Sequence, residues 1–167
     1  VVPEAPLVQT EAGLAPAAEG WFTLNARDAC WSWDGRSACS EFEGEYEFQQ
    51  VGIFLRVLAP GVPMGLYHRE TDQEAFLVLS GEALLIVEGE ERPLRRWDFF
   101  HCPPGTEHII VGAGDGPCVV LAVGSREHQR GENGGAYTVD ETALQHGAGV
   151  EEETTDRAEA YARAPKA

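Results

Sequence analysis

The sequence has few basic residues, and this scarcity narrows the partners that the protein can have. Its 167 residues include 12 lysines and arginines against 28 aspartates and glutamates, a formal net charge of −16 at pH 7. A surface with this excess of carboxylates repels the phosphate backbone of nucleic acids and the anionic surface of a membrane. We therefore expect no nucleic-acid partner and no membrane partner.

The sequence also lacks cysteine pairs, long apolar runs and a recognisable leader. No two of its four cysteines have the C-x-x-C spacing of zinc ribbons and thioredoxin-type sites. No apolar run approaches the roughly 18 residues of a membrane span. Residues 1–20 have no basic segment followed by an apolar one, so no signal peptide is expected. Reduced structural thiols and a cytoplasmic location are the resulting predictions.

Composition divides the chain into three parts. Residues 1–20 are rich in alanine, proline and glutamate without periodicity, and we interpret them as an N-terminal arm or a disordered lead. Residues 21–125 contain the strand-like segments and are predicted to form one β-barrel domain. Residues 126–167 differ in composition and are predicted to be a C-terminal tail with short helices. A single domain is what a chain of this length accommodates.

Short strand-like segments follow one another through the middle of the chain. Glycine and proline separate stretches of about five residues at intervals of about 8–12 residues, which is typical of all-β sandwiches and barrels. We therefore predict an all-β fold, a small antiparallel β-barrel. The predicted strands include residues 21–25, 41–48, 51–58, 75–79, 83–87, 97–102, 108–111 and 118–123.

Two short helices are predicted in the C-terminal tail. The first spans residues 138–145, with Thr138 or Asp140 as its N-cap. The second spans residues 155–164, with Thr155 as its N-cap. Both helices are expected to pack on the barrel or to fray.

Several side chains that can bind a metal converge on the predicted barrel. His68 and Glu70 alternate along one strand, so both point to the same face and Arg69 points to the opposite face. Glu74 begins the next strand, and His108 follows a turn rich in proline and glycine. Two histidines with one or two carboxylates form a ligand set for iron(II), manganese, nickel or zinc. A divalent transition metal is therefore the predicted cofactor.

The spacing of these residues resembles the two motifs of the cupins, a family of small jelly-roll barrels. The cupin motifs read G-x5-H-x-H-x(3,4)-E-x6-G and G-x5-P-x-G-x2-H-x3-N. In this sequence they read Gly61-x6-His68-x-Glu70-x3-Glu74-x6-Gly81 and Trp97-x5-Pro103-x-Gly105-x2-His108-x3-Gly112. The resemblance covers about residues 50–124. It departs from the family at Glu70, where the motif has its second histidine, at Trp97, where it has glycine, and at Gly112, where it has asparagine.

The resemblance implies a jelly-roll fold and a metal held by His68, Glu74 and His108. The role of Glu70 is open, because it replaces a family ligand. Its carboxylate can bind the metal directly, accept a hydrogen bond that orients an imidazole, or act as a general base beside the metal.

His101 is a further candidate for the site. It lies two residues before Pro103 and is a candidate ligand or substrate contact if its side chain faces the barrel interior. Cys102 would then point the other way and serve in packing. Glu70 and His101 are the candidate catalytic residues.

Three functions are open for such a barrel, since the fold does not fix the function. The first is a metal-dependent dioxygenase, isomerase or lyase that acts on a small organic molecule in the barrel pocket, with Glu70 or His101 moving protons. The second is a small-molecule binding or sensing module without catalysis. The third is a degenerate barrel with a structural role. No basic residue accompanies the histidines and glutamates of the site in the sequence, which argues against a phosphorylated sugar as the substrate.

A homodimer is the predicted assembly. Small barrels expose strand edges that need covering, and twofold symmetry is the commonest closed arrangement of identical chains. We expect the contact to use the barrel edges or the N-terminal arm.

Overall fold

The protein forms thirteen strands and two short helices within residues 1–128 and 134–163, which are the residues that the computed structural model describes. Neither helix in this part is long and apolar enough to cross a membrane. The strands are β1 (Leu7–Thr10), β2 (Gly13–Pro16), β3 (Ser32–Trp33), β4 (Ala38–Ser40), β5 (Val51–Leu58), β6 (His68–Glu70), β7 (Glu74–Ser80), β8 (Glu82–Val87), β9 (Glu90–Arg95), β10 (Phe99–Cys102), β11 (His108–Ala113), β12 (Cys118–Ser125) and β13 (Gly135–Tyr137). The helices are α1 (Glu141–Gln145) and α2 (Arg157–Arg163).

Two antiparallel sheets face each other and enclose the main core, as in a jelly-roll barrel. One sheet has the strand order β10-β7-β12-β5-β4-β3 and the other has the order β13-β6-β11-β8-β9. The all-β prediction is thus confirmed. The buried core between the sheets consists of Leu58, Phe76, Val78, Ala83, Leu85, Cys102, Ile110, Cys118, Val120 and Ala122.

The barrel strands follow the alternation that the sequence predicts. Strand β12 is the plainest case, because every second residue from Cys118 to Gly124 is buried and the residues between them are partly exposed. Successive side chains of a strand point to opposite faces, so this pattern turns one face of β12 to the core. Strand β5 occupies residues 51–58, as predicted.

The first fifty residues differ most from the prediction. Residues 1–20 contain the antiparallel hairpin of β1 and β2, where the sequence suggested an arm without regular structure. Residues 21–25 and 41–48, both predicted as strands, are not strands. In the second segment Phe42 has a φ of 59°, and the Phe48 N–H donates to the Glu43 carboxylate. These local bonds turn the backbone, so the alternation of charged and aromatic residues there does not mark a strand.

Both tail helices form, but their starts differ from the prediction. Helix α1 begins after Asp140, whose carboxylate accepts a hydrogen bond from the Ala143 N–H at 2.7 Å. The alternative cap, Thr138, is wrong because the chain is still completing strand β13 just before it. At α2 the side chain of Asp156, not that of Thr155, accepts from the Glu159 N–H. The predicted end of this helix at residue 164 lies outside the described residues. The division of the chain at residues 20 and 125 stays a prediction.

Two turns of the barrel depend on an unusual backbone conformation. Gly81, between β7 and β8, has a φ of +73°, and a Cβ atom there would lie 2.7 Å from the Pro117 carbonyl oxygen. Trp97 has a φ of 76° and stands where the second motif has glycine. Residues with a Cβ atom rarely adopt this left-handed region. The turn at position 97 is left-handed, which explains why the second motif has glycine there; in this chain tryptophan makes the same turn.

Candidate functional site

A cavity of about 210 Å³ lies between the two sheets, where β6, β7 and β11 begin. The apolar part of its wall is formed by Phe54, Met64, Leu66, Phe76 and Ile110, among others. The polar side chains that line it are His68, Glu70, Glu74, His108, Arg56, Arg157, Tyr137 and Tyr161. A cavity in which polar groups converge beside apolar side chains is a usual form of a small-molecule site, and this cavity is richer in polar groups than most.

Strand β6 supplies the first pair of site residues. His68 and Glu70 both line the cavity, and the His68 Nε2 lies 3.7 Å from Glu70 Oε1. Arg69 points to the other face, where it forms ion pairs with Glu107 at 3.0 Å and Glu153 at 2.9 Å. The alternation predicted for residues 68–70 is therefore what the structure has.

The second pair comes from both sheets. Glu74 is the first residue of β7 in one sheet, and His108 is the first residue of β11 in the other. The His108 Nε2 lies 3.4 Å from Glu74 Oε2, and the two histidine rings are 4.9 Å apart between centroids. The site thus joins the two sheets at one end of the barrel.

Backbone carbonyls fix the orientation of both imidazoles. The His68 Nδ1 lies 2.7 Å from the Leu66 carbonyl oxygen, and the His108 Nδ1 lies 3.1 Å from that of Thr106. A carbonyl oxygen only accepts, so Nδ1 is the donor in each ring. In the neutral ring this leaves the Nε2 lone pair free, and carbonyl contacts of this kind orient histidine ligands in metal sites.

Two atoms of the site are buried without a partner. The Glu74 Oε2 and the His108 Nε2 have no hydrogen bond within the described part of the chain, although both are inaccessible to solvent. With Nδ1 as the donor, Nε2 is an acceptor, and when Glu74 is ionised the carboxylate oxygen that faces it is a second acceptor. Buried acceptors without donors are costly, and a bound cation removes that cost for both atoms.

In the absence of a cation, burial shifts the pKa values of the histidines and glutamates of the site. It raises the pKa of Glu74 to about 8, with a further contribution from the charges of Glu70 and Asp72. It raises the pKa of Glu70 to about 7, again with help from Asp72. Burial and the neighbouring His68 lower the pKa of His108 to about 4. A cation would favour the ionised carboxylates and the neutral imidazoles.

Three of the four predicted metal ligands meet in one group. One ligand atom from each of His68, Glu74 and His108 lies within 4.8 Å of the others. The donor set of two imidazoles and one carboxylate suits a divalent transition metal. Glu70 lies beside this group and contacts His68, but its carboxylate is not one of the three converging ligands. His68, Glu74 and His108 therefore fit a metal ion as its ligands, and Glu70 lies next to them.

The structure corrects the placement of His101. This side chain is exposed and does not line the cavity, whereas Cys102 is buried and lies in the core. The Cys102 Sγ lies 3.4 Å from the His108 Nδ1. The reason is the register of β10, which sets Cys102 opposite Glu74 and His101 opposite Ala75. Residues directly opposite in an antiparallel pair share a face, so Cys102 follows Glu74 inward.

Among the cavity residues that were not anticipated from the sequence, two are positively charged, Arg56 and Arg157. Arg56 lies on β5 and Arg157 begins α2, and both line the same cavity as the histidines. The expectation of a site without basic residues is therefore wrong, and with it the argument against a phosphorylated substrate. The alternation along β5 could have indicated that Arg56 points inward, because it shares a face with Phe54 and Leu58.

The comparison with known families agrees with this geometry. Residues 54–124 match the family model Cupin_2, the cupin domain. This part of the chain, somewhat less than half of its length, is therefore similar to a cupin domain. The matched region contains all four candidate site residues of β6, β7 and β11, whereas Arg157 lies outside it. No curated protein matches the sequence.

Several solved structures share the barrel fold. A sugar phosphate isomerase of the cupin superfamily from Silicibacter pomeroyi DSS-3 is 29% identical with a TM-score of 0.50, and the match covers 56% of this chain and 60% of that protein. A Cupin 2 conserved barrel domain protein from Salinispora arenicola is 24% identical over 64% of this chain and 88% of its own, with a TM-score of 0.51. A polyketide cyclase from Streptomyces resistomycificus has a TM-score of 0.56 at 15% identity and covers 64% and 80% of the two chains. The last two show the fold alone.

Proposed function

We propose that this cupin is a metal-dependent enzyme that isomerises a small hydroxy aldehyde or hydroxy ketone in the barrel cavity. The observation that carries the proposal is the convergence of His68, Glu74 and His108. The Glu74 Oε2 and the His108 Nε2 face each other there, buried and without a hydrogen bond among the described residues. His68, Glu74 and His108 would hold a divalent transition metal: iron, manganese, nickel or zinc. Bound there, the metal would supply Lewis-acid polarisation of a substrate oxygen.

Glu70 is the residue that we propose to move the proton. It lines the cavity next to the ligand group, and its carboxylate has no hydrogen-bond partner among the described residues. A carboxylate so placed can take a proton from a carbon of the bound molecule and return it to the neighbouring carbon. Phe54, Phe76 and Ile110 form the apolar part of the wall of the same cavity.

The relatives support isomerisation over the other metal-dependent reactions. The solved structure that is 29% identical to this chain is a sugar phosphate isomerase. Isomerisation needs only a metal and a proton-transferring group, which are what the cavity can supply.

Exchange of substrate hydrogen with solvent tests this function. The metal-loaded protein is incubated in D2O with a panel of small hydroxy aldehydes and hydroxy ketones, free and phosphorylated. We expect deuterium at the carbon next to the carbonyl, and at least about a hundredfold slower exchange in the Glu70→Gln variant, the loss typical of a missing general base. Mass spectrometry and proton NMR measure the exchange.

The control for this experiment is Glu45→Gln, since Glu45 is exposed and lies outside the cavity. This variant should exchange at the wild-type rate. Equal rates in Glu70→Gln and wild type would remove Glu70 from the mechanism. A metal-loaded protein that exchanges none of the compounds would contradict the isomerase and favour a binding or sensing module.

A homodimer and a cytoplasmic location are also proposed. Strand β10 lies at an edge of its sheet, and Phe99 on it is exposed beside Leu77 and Leu121 of the next two strands. An apolar patch at a strand edge favours pairing with a second copy. Light scattering should give twice the monomer mass of 18.1 kDa. A monomeric mass at every concentration would contradict the dimer.

The four free cysteines agree with a reducing compartment.

A further inference from the structure

We infer that Arg56 and Arg157 form a binding site for an anionic group of the substrate, at the side of the cavity next to the metal ligands. The inference deepens the proposed function and rests on it, because it names the substrate class as a small organic anion. A phosphate monoester and a carboxylate share the chemistry that such a site recognises.

Arg56 presents one edge of its guanidinium group without partners. Its Nη1 donates to Asp34 and, at 2.9 Å, to the Ser37 hydroxyl. Within the described residues these bonds all use Nη1, and the Nε is buried with no hydrogen-bond partner. The Nε and Nη2 edge is the side of a guanidinium that binds a carboxylate or phosphate through two parallel bonds. Asp34 and Ser37 hold the group in place while leaving that edge unused.

Arg157 supplies a second positive charge from a different element. Its guanidinium lies over the Tyr161 ring, 5.5 Å from the ring centroid, and this contact steadies an otherwise exposed side chain. No carboxylate of the described residues forms an ion pair with it. The side chain lines the cavity of the histidines and also the adjoining space that Arg56 borders. Its charge is therefore available to a bound molecule.

The third arginine near this region behaves differently. Arg126 borders the adjoining space, but both of its terminal nitrogens bind Glu43, at 2.8 and 3.1 Å. Its charge is neutralised within the protein. Arg126 therefore has a structural role. Among the described residues, by contrast, the Nε of Arg56 has no hydrogen-bond partner and the charge of Arg157 has no carboxylate partner.

The charge of the protein makes a local site necessary for an anion. With a formal net charge of −16, the chain as a whole repels anions. Glu70 and Glu74 add negative charge to the cavity itself, and a bound metal would offset that charge next to the ligand group. Arg56 and Arg157 therefore decide where the anionic end of a substrate is placed. The cavity of about 210 Å³ limits that substrate to a small molecule.

Binding of simple anions to the metal-loaded protein tests the inference. Glycerol 3-phosphate, lactate and neutral glycerol are titrated calorimetrically, so that the first two distinguish a phosphate site from a carboxylate site. We expect at least one anion to bind and glycerol not to bind. Arg157→Gln should weaken anion binding about tenfold or more, the loss that follows when a charge-assisted bond is removed.

Two further variants complete the test. Arg56→Lys keeps the charge but loses the paired donors, and it should also weaken binding. Arg92→Gln is the control, because Arg92 lies on β9 outside the cavity. Equal anion affinity in Arg157→Gln and Arg92→Gln would overturn the inference, as would equal binding of glycerol or no binding of either anion. Metal content is measured in every variant. If the protein binds no metal but its anion affinity still depends on Arg157, the proposed function is refuted and the inferred anion site is supported.

Discussion

Replacing His108 with alanine is expected to lower the affinity for a divalent transition metal by about a hundredfold or more, since even residues that only orient a ligand cost 10–100-fold. His108 is 1% exposed, and its Nε2 faces Glu74 and has no hydrogen bond to any residue that the structure describes. The substitution removes one of three converging ligands. Competition with a chromophoric chelator measures the affinity, and elemental analysis measures the metal content of the purified protein.

The matched control is His101→Ala. It removes the same side chain from the preceding strand, where His101 is exposed and outside the cavity. Its metal affinity should equal that of the wild type. A second site variant, Glu74→Gln, keeps the shape of the side chain and should also lose affinity, which separates ligand loss from misfolding. Unchanged metal content in both site variants would show that this group is not a metal site.

Replacing Gly112 with asparagine is expected to destabilise the protein by about 3 kcal/mol or more, although asparagine is the residue of the cupin motif. A Cβ at Gly112 would lie 2.2 Å from the Ala59 carbonyl oxygen and 3.1 Å from the Leu58 Cβ. The turn that carries Ala59 is held against β11 by two hydrogen bonds, from Gly61 N–H to Gly112 at 2.8 Å and from Gly112 N–H to Val62 at 2.9 Å. Any side chain at Gly112 must push this turn away and break them.

Gly116→Asn is the control for this substitution. A Cβ added at Gly116 would meet no other atom within 4 Å beyond its chain neighbours, and the residue has no left-handed φ. Its replacement should therefore change the free energy of unfolding by less than about 0.5 kcal/mol. Urea denaturation followed by tryptophan fluorescence measures both variants. Equal stability of Gly112→Asn and Gly116→Asn would mean that the turn at Ala59 adapts without cost.

The shared direction of His68 and Glu70 could be predicted because it depends on one strand alone, whereas Glu74 and His108 were selected by the resemblance to the cupin motifs. The alternation of His68, Arg69 and Glu70 places two side chains on one face through the geometry of a single strand. Strand β5 and the inward face of β12 follow the same rule. Where strand propensity competes with side-chain bonds to the backbone, the rule fails. The segment 41–48 alternates as a strand does, but Glu43 binds the backbone and Arg126 instead.

His101 shows why alternation alone does not give the inward face. Within β10 the two faces are Phe99 with His101 and Phe100 with Cys102, and either could point to the core. The pairing of Cys102 with Glu74 selects the second. Register between strands is a long-range property, and a shift by one residue reverses every side chain.

The all-β architecture could be predicted from composition and period, and the extent of the cupin motifs from their spacing, whereas the choice of His68, Glu74 and His108 as candidate ligands rests on the resemblance to the cupins. The tertiary structure sets Glu74 and His108 face to face across the two sheets, and it turns Cys102 rather than His101 inward. It also decided that Arg56 and Arg157 share one cavity. The physical reason is that these relations join residues far apart in the chain, and strand pairing and sheet packing, not local propensity, bring them together.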